Sequence, residues 1–202
     1  VLLFILLILY NIFISYKNKK IEIFFSQSNF LNSIVNQIYI INMDKDHERL
    51  KIIDKKMMKL GLKYKRIKGI DGKKIYSKYK NKTKLKPGQL GCLLSHINVL
   101  EDAIKNKYKN ILVLEDDVLF HKNFHEEFKK KYEFLKNNEN EIDLVYLGSS
   151  QKHKWKNINI NKHYYKSYKN DGTFAMLINN NIFIKLLNLY KKLNLPSDRV
   201  LY

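Results

Sequence analysis

The sequence predicts an α/β domain with a mostly parallel central sheet, set behind an apolar N-terminal segment. Three observations carry this reading. Short β-rich runs alternate with stretches of helical apolar spacing from Ile38 almost to the C-terminus. Ile111-Leu112-Val113-Leu114 is continuously apolar and too short for a helix, as in a strand covered on both faces. Val1 to Tyr16 is apolar except for Asn11 and Ser15.

That first run, residues 1–16, is read as a single-pass membrane anchor, because no small-residue cleavage site follows it. As a helix it would be about 24 Å long, against about 30 Å of hydrocarbon. Lys17, Lys19 and Lys20 come next. By the positive-inside rule they hold the domain in the cytoplasm, whereas charge on the opposite flank would reverse it. Residues 17–36 read as a basic and polar linker, and residues 37–202 as one domain.

Within the domain, Ile38 to Ile41 is a buried strand. Asp46 is a reasonable N-cap for a helix with Leu50, Ile53, Met57 and Leu60 on its apolar face, stopped by Gly61. Leu62 to Lys68 reads as a second strand, closed by the turn Gly69-Ile70-Asp71-Gly72. Ile75 to Lys86 is a lysine-rich loop, and Pro87 opens a helix with Leu90, Leu93, Leu94, Ile97, Leu100 and Ile104 inward. Phe124, Phe128, Tyr132 and Leu135 mark a further helix. Ile142–Leu147 and Thr173–Ile178 read as strands, and Ile182–Lys192 as the last helix. Gln151 to Asn170 has no clear periodicity.

The net charge of +19 invites a nucleic-acid reading, but its make-up excludes one. Of 38 basic residues only Arg49, Arg66 and Arg199 are arginine, the residue that pairs bidentately with phosphate and guanine. The lysines run along the whole chain rather than in one patch, so most of the charge reads as compositional drift. Cys92 is the only cysteine, which rules out an intrachain disulfide. It reads as a small buried residue.

Glu115, Asp116 and Asp117 end the most apolar strand, where open α/β sheets bind ligands. Adjacent carboxylates repel, and a hard divalent cation such as Mn²⁺ or Mg²⁺ neutralises them. A solvated acidic turn is the plainer alternative. A metal held there would stabilise charge on a departing nucleoside diphosphate.

Ile38 to Asp44 with Glu48-Arg49-Leu50, the turn Gly69 to Gly72, the stretch Gly88 to His96 and Leu112 to Asp117 together resemble glycosyltransferase family 25. That family includes lipooligosaccharide and collagen galactosyltransferases. Asp143 to Gly148 and Leu195-Pro196-Ser197-Asp198 are similar to its later motifs. The resemblance implies a GT-A-like nucleotide-sugar-binding fold. It also implies metal-assisted, inverting transfer of a hexose, galactose or glucose favoured, from a UDP-sugar to a glycan or a hydroxylysine-type protein acceptor. The alternative is a membrane-tethered relative of such enzymes without catalysis.

Under the resemblance, Asn42, Asp44, Arg49, His96, Glu115 and Asp116 line the donor, Asp117 with Glu115 holds the metal, and Asp198 is the base. From the residues alone, Asn42 and Asp44 suit helix capping as well, Arg49 a surface ion pair, His96 a core histidine and Asp198 a turn after Pro196. Glu101 and Asp171 are the other carboxylates that suit the base. Tyr164, Tyr165 and Tyr168 offer faces for sugar stacking or for packing. His121 and His125, spaced i, i+4, lack further ligands and read as surface residues. The chain departs from the family in its lysine-rich loop 75–86 and in stopping four residues after Asp198.

Overall fold

The computed structural model describes residues 14, 15, 17, 30–138, 142–148, 158–161, 164–166 and 172–200. The elements are β1 (Gln37–Met43), α1 (His47–Leu60), β2 (Lys65–Gly69), a short α2 (Gly72–Ile75) continued by a 3-10 turn (Tyr76–Lys78), and α3 (Pro87–Lys105). They continue with β3 (Asn110–Glu115), α4 (Phe124–Asn137), β4 (Leu144–Tyr146), β5 (Ile158–Asn161), β6 (Tyr164–Lys166), β7 (Ala175–Asn179) and α5 (Asn180–Lys191).

Five strands form one sheet in the order β2-β1-β3-β7-β4, and β5 pairs with β6 separately. β1 is parallel to β2 and β3, while β7 is antiparallel to both β3 and β4. The sheet is therefore mixed: four strands run one way and β7 runs against them. The described residues between β4 and β7 hold only the β5–β6 pair. Parallel return to a sheet needs a crossover that carries the chain back to the opposite edge. β7 pairs antiparallel with β4, so the chain re-enters the sheet at the edge where β4 ends.

The period of two along the central strands decides what each helix covers. Ile111 and Val113 of β3 face α3 and α5, with Tyr39, Met176, Ile178, Leu93, Leu100, Phe183 and Leu186 in one buried cluster. Leu112 and Leu114 face the other way, toward Ile53 and Met57 of α1 and Phe128 and Leu135 of α4. A strand buried on both sides needs apolar residues at every position, which is why 111–114 reads as it does. Burying each such side chain contributes about 1.5–3 kcal/mol.

α1 matches its spacing. Gly61 ends it in the left-handed region at φ 64°, its N–H donating to the carbonyls of Met57 and Met58. Asp46 precedes the helix, but its side chain makes no capping bond. The second strand starts later than the apolar run, at Lys65, because the parallel register with β1 begins at Tyr39↔Lys65. Leu62 is instead buried beside α1. The lysine-rich segment 75–86 is more ordered than its composition implies, beginning in helical turns.

α3 crosses directly over the 69–72 turn. A Cβ on Gly72 would lie 1.7 Å from the Pro87 carbonyl oxygen, and one on Gly91 would lie 2.4 Å from that of Ile70. Ser95 Oγ accepts from Ile70 N at 2.8 Å and donates to Gly91 O at 2.7 Å, fixing the crossing. Two glycines and one serine of the Gly69–His96 stretch thus set where α3 meets the sheet. Among the described residues no helix is long and apolar enough to cross a membrane; nearly all of the run 1–16 lies outside them.

Candidate active site

β1 and β3 are parallel neighbours with Ile41 opposite Glu115, so their C-terminal ends open on one edge of the sheet. Glu115 closes β3, and Asp116 and Asp117 lie in the turn that follows. Asp116 is buried, at 8% exposure, and turns toward β1 and α1. Its Oδ2 accepts from Asn42 Nδ2 at 2.7 Å and its Oδ1 from an Arg49 NH1 at 3.2 Å. Arg49 also lies 3.6 Å from Asp117, which is half-exposed. Asn42, buried at 1%, accepts through Oδ1 from Arg66 Nε at 3.0 Å. Arg66 donates onward to Asp44 at 2.8 Å, and Lys68 pairs with the same carboxylate. Lys68 and Arg66 hold Asp44 below the usual carboxylate range.

Glu115 turns to the opposite face. It accepts from Thr173 Oγ1 at 2.6 Å, and that hydroxyl lies 3.1 Å from His96 Nε2. The Glu115 and His96 side chains are 3.9 Å apart, with His96 only 2% exposed. Burial opposes charge on His96, but Cys92 and Glu115 beside the ring outweigh it and raise its pKa to about 9. Burial likewise works against Glu115, and His96 overrides it, holding the carboxylate below 4.5. Cys92 Sγ is 3.4 Å from Ser197 Oγ and 3.9 Å from Thr173 Oγ1. The next residue, Asp198, accepts from Gly172 N at 3.0 Å. Gly172 adopts φ +98°, a conformation that L side chains rarely adopt.

The sheet edge therefore carries two polar networks, one on each face. Asn42, Asp44, Arg49, Arg66, Asp116 and Asp117 form the first; Cys92, His96, Glu115, Thr173, Ser197 and Asp198 form the second. Asp198, far away in sequence, is brought next to Thr173 and hence to Glu115. Glu101 is not: it pairs with Lys191 at 2.7 Å. Asp171, Tyr168 and the side chains of Tyr164 and Tyr165 lie outside the described residues. His125 does not join a metal site, since its Nε2 meets the Leu60 carbonyl oxygen at 2.9 Å and ties α4 to the end of α1.

The two faces fit a hard cation unequally. Asp117 keeps an exposed carboxylate that meets Arg49 at 3.6 Å, and oxygen donors of this kind suit Mn²⁺ or Mg²⁺. The ligand atoms of Cys92, His96 and Glu115 lie within 4.8 Å of one another. The Thr173 hydroxyl donates to Glu115 at 2.6 Å and lies 3.1 Å from His96 and 3.9 Å from Cys92.

Sequence reasoning passes over Arg66 and Ser197 as site residues and takes Cys92 for inert core, whereas it is half-buried in the second network. One signal was present. In a chain whose basic residues are nearly all lysine, two of the three arginines converge on Asn42 and Asp116. A position that keeps arginine against such drift is one where a planar fork is needed.

The sequence profile of Glycosyltransferase family 25 (LPS biosynthesis protein) matches residues 35–201. An inactive glycosyltransferase 25 family member 3 of Homo sapiens is 36% identical over 67 residues, which is 33% of this chain and 11% of that protein. A glycosyltransferase 25 family member of Anopheles gambiae is 30% identical over 101 residues, 43% of this chain and 17% of the relative. Procollagen galactosyltransferase 2 of Mus musculus is 24% identical over 128 residues, 56% of this chain and 20% of the relative. The chain thus spans a fifth or less of the length of these curated relatives.

Proposed function

The chain belongs to glycosyltransferase family 25, and from that membership we propose that it transfers a hexose from a UDP-sugar to a hydroxyl of a glycan or protein acceptor, with inversion and with help from a divalent cation. The observation that carries the reading is the junction of Asn42, Arg49, Arg66 and Asp116 beyond the parallel ends of β1 and β3. Galactose is favoured as the sugar by the procollagen galactosyltransferase among the relatives. The mixed sheet, with β7 reversed beside β3, is consistent with a GT-A-like fold.

In this reading Asp117 takes Mn²⁺ or Mg²⁺, which when bound offsets the charge that builds on the leaving diphosphate. The chain's own groups do the rest. Arg49 spans Asp116 and Asp117 and remains half-exposed, so it can turn one N–H toward a phosphate oxygen. Asn42 is locked between Asp116 and Arg66 and holds Asp116 in place, with its rotamer fixed before any ligand arrives. Asp44, charged and accessible, faces the nucleoside end. On the other face Asp198 is the base: in a single displacement it takes the proton of the acceptor hydroxyl as that oxygen attacks. His96, buried and cationic, fixes Glu115 as an anion behind that position.

Incubation with a panel of UDP-sugars and Mn²⁺, with release of UDP as the readout, tests the reading. Turnover of one UDP-hexose is expected, and no turnover or binding across the panel would reject it. A second reading, a family member without catalysis, is favoured by the relatives named inactive. It predicts that no UDP-sugar is consumed even where UDP binds. Residues 1–16 anchor the domain to a membrane in this account, so the full chain should resist carbonate extraction; its release into the supernatant would remove the anchor.

A further inference from the structure

We propose that the folded domain carries a second, electrostatic membrane-docking surface, built by the lysines of residues 72–86 and fitted to an anionic lipid surface. This goes beyond the transferase reading and stands without it. Seven of these fifteen residues are lysine: Lys73, Lys74, Lys78, Lys80, Lys82, Lys84 and Lys86. All seven are exposed, and no Asp or Glu occurs from Gly72 to Leu100.

The segment is held firmly while the lysines point outward. Ile75, Tyr76 and Tyr79 pack against the α3–α5 core, Leu85 is buried at 3% exposure, and Thr83 donates to the Leu193 carbonyl. From Lys78 to Lys86 the even positions are exposed lysines, while Tyr79, Thr83 and Leu85 are the inward odd ones. An anchored backbone with alternate side chains outward makes a fixed basic face rather than a loose tail.

Several lysines elsewhere in the domain have a carboxylate partner. Lys51 pairs with Glu48, Lys65 with Asp102, Lys130 and Lys131 with Glu127, and Lys191 with Glu101. Among the described residues none of the seven lysines has a carboxylate partner within ion-pair distance. Compositional drift explains lysine on a surface; it does not explain the missing acids on this one.

Lysine point charges without arginine suit diffuse attraction to anionic headgroups better than bidentate readout of a nucleic acid. The apolar run Val1–Tyr16 with Lys17, Lys19 and Lys20 behind it supplies the tether. The thirteen Cα–Cα steps from Lys17 to Phe30 reach at most about 45 Å, enough to pass the seven-residue β1 of about 23 Å. The basic segment follows the C-terminal end of β2, so docking would bring the active-site edge of the sheet close to the bilayer.

The test compares partition of the full chain into vesicles of phosphatidylcholine alone and of equal parts phosphatidylcholine and phosphatidylglycerol. The quadruple variant Lys78→Gln, Lys80→Gln, Lys82→Gln and Lys84→Gln is set against Lys55→Gln, Lys59→Gln, Lys63→Gln and Lys122→Gln, which removes the same net charge from exposed lysines elsewhere. The first variant should lose at least about tenfold of the extra partition into anionic vesicles, and the control less than about threefold. The wild-type preference should weaken with added salt. Both variants should melt like wild type. Equal losses in the two variants would overturn the proposal, as would an unchanged anionic preference in the first. Loss of RNA binding with unchanged vesicle binding would overturn it too, by assigning the face to another partner.

Discussion

Glu115→Gln isolates the charge that the second network is built to hold. The amide keeps the shape and the oxygen that accepts from Thr173 Oγ1 at 2.6 Å, and removes the negative charge 3.9 Å from His96. Two routes give the size of the effect. The rise of the His96 pKa from 6.5 to about 9 corresponds to about 3 kcal/mol of linked stability. Two charges at that separation attract by about 4 kcal/mol at an effective dielectric near 20. Cys92 also favours the imidazolium and survives the substitution, so the expected loss at pH 6 is about 2–3 kcal/mol.

The sign follows from the shifts. A histidine whose folded pKa is raised gives stability present in full below 6.5 and lost as pH climbs through about 9. Glu115, with its pKa lowered, gives stability present above 4.5 and lost on acidification. The gap between wild type and variant is therefore widest between pH 4.5 and 6.5 and narrows toward pH 9. Urea denaturation at pH 6 and at pH 9, with an NMR titration of the His96 ring, measures it. An equal loss at both values, with the ring titrating unchanged, would refute the ion pair.

Two further outcomes follow from the geometry. Gly91→Ala should cost about 2–3 kcal/mol in thermal or urea unfolding, because its methyl would meet the Ile70 carbonyl at 2.4 Å and the backbones must part; a neutral effect would mean that the α3 crossing is loose. Asp198→Asn retains an oxygen that can accept from Gly172 N, so the fold should hold; turnover should fall at least about hundredfold with UDP and Mn²⁺ affinity unchanged, whereas unaltered turnover would return Asp198 to a structural turn.

How much of this was legible in the sequence depends on the range of the interaction that decides it. α1 is legible because its apolar spacing and Gly61 are local, and β3 because burial on both faces leaves no polar position between Ile111 and Leu114. The direction of β7 is not local: it depends on which edge the chain leaves after β4. The grouping of Asp116 with Asn42 and Arg49 follows from a parallel register across 74 residues, which no spacing reveals. The split of Glu115 from Asp116 could be read from the alternation of a strand, while Asp117 lies in the turn that follows β3. By spacing alone Thr173 reads as the start of a strand.

The central claim is that the end of β3 is a metal-assisted nucleotide site with Asp117 as the carboxylate that takes the cation. Calorimetric titration of UDP into the full chain, with and without Mn²⁺, for wild type and for Asp117→Asn, tests it most directly. Asp117 is half-exposed and its nearest ion pair is the 3.6 Å contact to Arg49, so the amide should leave the fold intact. The account predicts that wild type binds UDP in Mn²⁺ and that Asp117→Asn loses this binding with an unchanged melting temperature. Equal, Mn²⁺-dependent binding by both proteins would contradict it.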